Sequence, residues 1–200
     1  MEIAFTNVPP NCGFEVNDAE EPWNYSQKFD YIHGRAMVCC FSDPAGVINS
    51  AFESLRPSGY FEMQDPQMPM VSIDSSINGT ALEEWVRVSC LAAERRGRKV
   101  TNSRHYGRWM AEAGFVDIFE KHFFGRIIRG SEQNLLDGIR GMTMRNLTAG
   151  LWWTPEQVES LLVGVRKDLQ NKRINSAVDV VVFFGRKPGL VQLENGDDSG

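Results

Sequence analysis

Apolar and polar positions alternate between two periods along this chain, and the alternation predicts layered α and β elements. Short runs with strand character fall at 13–16, 29–33, 60–64, 115–123 and 180–184. The last, Val180-Val181-Val182-Phe183-Phe184, has the composition of a strand buried on both faces. Between them the spacing turns helical. Asp43-Pro44 opens a helix with Val47, Ile48, Ala51, Phe52 and Leu55 on one face, and a proline-glycine turn at 56–59 closes it. Further helices are predicted over 81–96, 105–113 (stopped by Gly114), 135–147 and 155–169. The last carries a Thr154 cap, Pro155 in its first turn and the acid Glu156 after it. Residues 65–70, rich in Pro and Met, read as a loop, and 194–200 as a flexible acidic tail. Strands alternating with helices predict an α/β domain over 1–188, with 189–200 trailing behind it.

Composition narrows the class. The chain has 200 residues, 42% hydrophobic and 24% charged, ordinary values for one globular domain. A formal net charge of -5 argues against a nucleic-acid partner, because phosphate binding needs clustered cations. No apolar run is long enough for a membrane span, and the first residues lack a basic secretory leader. Cys12, Cys39, Cys40 and Cys90 have neither zinc nor redox spacing, which predicts free thiols in an intracellular protein, cytoplasmic or nuclear. No His, Asp and Glu cluster has metal-ligand spacing, so no metal is expected.

Several segments then resemble, in order, one family. They are 8–23 (VPPNCGFEVNDAEEPW), 29–35 (FDYIHGR), 55–62 (LRPSGYFE), 106–110 (YGRWM) with 113–115 (AGF), and 183–188 (FFGRKP). Together they are similar to fungal class I S-adenosylmethionine (SAM)-dependent methyltransferases of the LaeA-like group, associated with secondary metabolism. The resemblance implies a Rossmann-like, mostly parallel sheet with helices on both faces and SAM beyond the carboxyl ends of the strands. It places Asp18 and Ala19 at the adenine, Trp23 over its ring, and Gly34 beside the methionine end. It also sets added helices over the substrate side, with Trp152 and Trp153 near the substrate mouth. Met68 lies near the expected site entrance.

The residues themselves offer His33 as a general base and Arg35 as a carboxylate or phosphate holder. Tyr106 and Trp109 would line a substrate cavity. Each has a plainer reading: a hydrogen-bonded strand-end histidine, an ion-paired arginine, or helix packing.

One part of the family pattern has no counterpart here. The family holds SAM on a glycine-rich turn after its first strand, yet only twelve residues precede Gly13, and a strand–helix–strand unit takes about 30. The expected fold is therefore an incomplete methyltransferase sheet, truncated at its N-terminal side, which leaves an unpaired edge. The strands re-pair, another chain fills the gap, or the sequence is a fragment; a second copy completing the sheet is the preferred expectation. Two functions follow. One is an enzyme acting on a hydrophobic small molecule, by methyl transfer if SAM binds or by a cofactor-free cyclisation, dehydration or pericyclic step. The other is a non-catalytic paralogue docked on a full-length methyltransferase or a regulatory complex.

Overall fold

The computed structural model describes residues 9–72, 74–126 and 131–189. The expected tail at 194–200 and residues 1–8 lie outside this range. Four strands form one sheet in the order β1 (Phe29–Arg35), β2 (Leu55–Ser72), β4 (Ser176–Arg186), β3 (Val116–Arg126). β1 and β2 are parallel, and α1 (Pro44–Ser54) forms the crossover between them. β4 returns antiparallel between β2 and β3. Three strands thus share one direction while β4 runs against them.

α1 begins where the sequence signals it. Asp43 accepts the backbone N–H of Gly46 at 3.0 Å, and Pro44 needs no hydrogen-bond partner in the first turn. α1 and α3 (Tyr106–Ala113) cover one face of the sheet and enclose Ile48, Ala51, Phe61, Met63, Tyr106, Met110, Val181 and Phe183. Gly114 adopts φ 101° at the end of α3, a left-handed stop that favours glycine. A second core joins α2 (Ala81–Arg95), α4 (Ser131–Leu151) and α5 (Pro155–Gln170), with Met68 and Met70 of β2 packed against it. Inside it the indole of Trp85 donates to Thr143 at 2.8 Å, and Asp168 of α5 accepts the first-turn N–H of Leu82 at 3.0 Å. These three helices form the added helical layer at the carboxyl end of β2.

Three expectations are corrected. Residues 13–16 hold a single bridged residue, Glu15, rather than a strand. Phe14 and Val16 are exposed there, and the first strand of the sheet begins at Phe29. The turn at 56–59 lies inside β2 as a bulge, with Ser58 at φ 67°, between the pairs Phe29↔Leu55 and Tyr31↔Tyr60. The loop at 65–70 is strand as well. β1 stops pairing at Arg35↔Gln64, so beyond Gln64 that side of β2 is an edge that tolerates Pro66 and Pro69.

Candidate functional site

The carboxyl end of β1 opens into a tight turn. Ala36 adopts φ 58°, a conformation costly for a residue with a Cβ, and its N–H donates to the Gln64 carbonyl at 2.9 Å. The turn aims the next two backbone N–H groups, of Met37 and Val38, at one carboxylate oxygen of Asp65; the bond from Val38 is 3.0 Å. The other oxygen of Asp65 accepts the hydroxyl of Tyr106 at 2.8 Å. Asp65 is fully buried. Burial raises its pKa from the ordinary carboxylate value, and the three hydrogen bonds oppose that rise. Burial and the facing carboxylate push the Tyr106 phenol far up, so it stays a donor.

A second carboxylate ties the segment at 18–23 to the same turn. Glu20 accepts the N–H groups of Ser42 and Asp43, each at 2.7 Å. Asp18 is exposed and accepts the N–H of Glu20 at 3.0 Å, while the Ala19 carbonyl accepts the Trp23 indole at 2.9 Å. Trp23 packs half-buried against the sheet core and edge-on to Tyr25. The three residues expected at an adenine thus lie together in a segment bound to the loop after β1.

Next to that loop runs a groove of about 1010 Å³ between the end of β2 and α2. Pro69, Met70, Ile77, Val86, Leu91 and Val100 supply apolar lining, and Glu83, Glu84, Glu94 and Arg87 supply charge. Arg87 is held by Glu84 through bonds of 2.7 and 2.8 Å. Cys90 joins the groove to the loop. The Cys39 thiol is pushed up to about 11 by burial, and Cys90 and Asp65 both act on it electrostatically.

The expected catalytic trio is not gathered. Strand alternation puts His33 and Arg35 on the sheet face opposite α1 and α3, where His33 lies 3.6 Å from Glu62 and stacks on Tyr31. Tyr106 is buried beneath the other face. Gly34 points that way too, and a Cβ there would meet the Met63 sulfur at 2.6 Å. Trp109 packs on His105 and Tyr106 in the sheet core. Met68 sits in the β2 irregularity just before the groove-lining Pro69 and Met70. Trp153 packs into the helical core, whereas Trp152, at φ 60°, is 84% exposed on the α4–α5 connection. None of these side chains is among those that line the groove.

Asp65 and Glu20 were missed by the sequence reading. Asp65 carries a usable signal: in the alternation Phe61, Met63, Asp65 it is an acid on the buried side of a strand. His122 also gains partners, with Asp179 at 2.7 Å and Glu120 at 2.9 Å, across β3 and β4. Among the described residues no three His, Cys, Asp or Glu side chains converge as metal ligands. No described helix is long and apolar enough to cross a membrane.

A family profile described as a methyltransferase domain matches residues 3–119. Methyltransferase pytC of Aspergillus terreus is 30% identical over 196 residues, covering 90% of this chain and 60% of its own length. Secondary metabolism regulator laeA of Aspergillus fumigatus is 24% identical over 197 residues, covering 91% of this chain and 53% of its own. Among solved structures, Haemonchus contortus phosphoethanolamine N-methyltransferase 2 in complex with S-adenosyl-L-methionine aligns at 17% identity and TM-score 0.43. It covers 86% of this chain and 36% of that one. The [4+2]-cyclase SpnF aligns at 14% identity and TM-score 0.46, over 88% and 57%. The chain spans about six-tenths of the length of pytC and about half that of laeA.

Proposed function

We propose that this chain, which belongs to the methyltransferase-domain family, forms the substrate half of such a site and takes a hydrophobic small molecule in the groove between β2 and α2. The observation that carries this reading is an apolar groove of about 1010 Å³ joined through Cys90 to a loop that Asp65 and Tyr106 clamp in place. Three groove carboxylates against one arginine already paired to Glu84 favour a neutral or cationic substrate over an anionic one.

The adenine end of the cofactor fits this donor set. Asp18, Ala19 and Trp23, anchored through Glu20, suit the adenine of SAM. Among the described residues no strand, glycine-rich turn and helix precede β1 to take its carboxylate and sugar. SAM would supply the methyl group when bound. What this chain contributes is a fixed loop beside the groove and an apolar wall that excludes water.

The test is a calorimetric titration with SAM and with S-adenosylhomocysteine, followed by transfer of a labelled methyl group to neutral, amine and carboxylate acceptors. Micromolar binding that weakens at least tenfold in Trp23→Ala, with methylation of neutral or amine acceptors, supports the reading. No binding at millimolar cofactor overturns methyl transfer by this chain alone. A neutral dye such as Nile red, displaced by an acceptor from the groove, would then support cofactor-free chemistry there. A groove that takes no ligand favours the non-catalytic paralogue.

A further inference from the structure

A run of cations closes α2. Residues 95–108 carry Arg95, Arg96, Arg98, Lys99, Arg104 and Arg108 and no Asp or Glu, in a chain whose formal net charge is -5. Glu94 precedes the run and Glu112 is the next acid after it. The backbone gathers these cations instead of spreading them along a helix. Gly97 adopts φ 73° and stops α2, and the Arg98 N–H turns back to the Ala93 carbonyl at 2.9 Å. The Asn102 N–H donates to the Lys99 carbonyl at 3.2 Å and the Arg104 N–H to that of Thr101 at 3.1 Å, so the chain keeps turning around the helix end.

Helix capping accounts for little of this. A cation in the last turn suits the negative end of the helix dipole, and Arg95 supplies one. The carbonyls of Ala92, Ala93 and Glu94 already accept backbone N–H groups from Arg96, Gly97 and Arg98, so no side chain is needed to cap them. Arg96 donates to Asn146 of α4 at 3.3 Å, and Arg108 lies 3.6 Å from Glu112. The side chains of Arg95, Arg98, Lys99 and Arg104 make no hydrogen bond or ion pair among the described residues, and all but Arg98 are exposed. Arg56, Arg87, Arg140 and Arg186, by contrast, each meet an acid of this chain.

Charge and extent select the occupant. Clustered cations without local acids attract an anionic partner and steer its approach. The negative end of the α2 dipole beneath them disfavours a compact phosphate, which helix N-termini hold and C-termini repel. A nucleic acid carries its charge on a continuous backbone and needs a cationic track. Here Glu94, Glu84 and Glu83 follow one another back along α2, and Glu112 borders the other side. A short acidic peptide segment ends where the cations end. The chain's own acids at 15–21 are a poorer fit, because Asp18 and Glu20 are already spent on backbone N–H groups.

We propose that the turn at 95–104 docks an acidic segment of a partner protein, held by Arg95, Arg98, Lys99 and Arg104. The docked segment lies beside the end of the groove lined by Glu94, Val100 and Thr101. The proposal stands independently of what the groove binds.

The probe is a fluorescein-labelled peptide of alternating Glu and Gly, compared with its Gln counterpart and with labelled single-stranded oligothymidine. Binding is read by fluorescence anisotropy at 50 mM and 500 mM NaCl. Saturable binding of the Glu peptide, weakened at least tenfold by the higher salt and by Arg95→Glu with Lys99→Glu and Arg104→Glu, supports the proposal. Lys121→Glu, at an exposed cation on β3, should leave it unchanged. The substituted side chains are exposed, and circular dichroism checks that each variant folds. No binding of the Glu peptide, equal binding of the Gln peptide, or binding that the triple substitution leaves unchanged overturns it. Tighter binding of oligothymidine than of the Glu peptide overturns it in favour of a nucleic acid. So does a dimer in sedimentation velocity that the triple substitution converts to monomer, because a second copy would then own the turn.

Discussion

Removing one hydroxyl tests the account of the buried clamp. Tyr106→Phe deletes the group 2.8 Å from Asp65 and leaves the ring in place. The lost bond is charge-assisted, worth about 1.5–3 kcal/mol, and the stranded carboxylate oxygen adds a desolvation cost of similar size. Asp65 can limit the damage by taking up a proton, because burial already raises its pKa and one fewer donor raises it further. The expected loss is therefore about 2–4 kcal/mol near neutral pH, or about 10 °C in Tm for a chain of this size. The sign with pH follows. A carboxyl whose folded pKa is raised above its unfolded value contributes stability at low pH that is lost as pH rises through the folded pKa. The deficit of Tyr106→Phe against wild type should thus grow from pH 5 to pH 8. Asp65→Asn should cost less, since its amide oxygen still accepts from Met37 and Val38 while the Tyr106 hydroxyl turns to accept. Asp65→Ala should also speed hydrogen exchange at the Met37 and Val38 amides at least tenfold. Thermal and urea denaturation followed by circular dichroism at both pH values decide it. A Tyr106→Phe loss under about 0.5 kcal/mol at both would refute the clamp.

Other consequences are as direct. A Cβ at Gly150 would lie 2.5 Å from the Ala92 carbonyl oxygen, so Gly150→Ala should force α4 from α2 and lower stability by about 1–2 kcal/mol despite better helix propensity. Urea denaturation reads it, and a stabilised variant would contradict the close approach. Thr154→Ala breaks a capping box in which Thr154 and Gln157 each accept the other's backbone N–H, and should cost about 1 kcal/mol. Asp179 and Glu120 raise the His122 pKa. Its contribution is fully present below the ordinary imidazole pKa and fades as pH rises through the raised value. The Tm gap between wild type and His122→Gln should therefore narrow from pH 6 to pH 8.5; a gap that widens would contradict the charged pairing.

Why some of this was legible in the chain and some was not comes down to range. α1 and α5 were readable because their signals are local: Asp43 with Pro44, and Thr154 with Pro155 and Glu156, act within one turn. β4 was readable because its residues need no context to look buried. β2 was misread at both ends: Pro57 falls in a bulge inside the pairing with β1, and Pro66 and Pro69 are permitted by a neighbour's length, neither of which a local pattern records. Past Gln64, β1 has ended and its side of β2 asks for no donor. The same misreading hid Asp65, since an acid in a loop is unremarkable while an acid on the inward side of a strand demands partners. Those partners come from Met37, Val38 and Tyr106, 28, 27 and 41 residues away.

His33 and Tyr106 were grouped for the opposite reason. Residue type and place in the chain supplied their importance but not their direction, and direction along a strand changes with every residue. His33 and Gly34 are neighbours in sequence yet face opposite sides of the sheet. Gly34 looks toward Met63 and the clamp, and His33 toward Glu62 and Tyr31. The motif at 29–35 therefore faces two surfaces at once, and only one of them adjoins the loop beside the groove. Substitutions at Asp65 should change affinity for a groove ligand, and substitutions at His33 should leave it unchanged. A His33→Ala that weakened ligand binding as much as Asp65→Ala does would reverse that assignment.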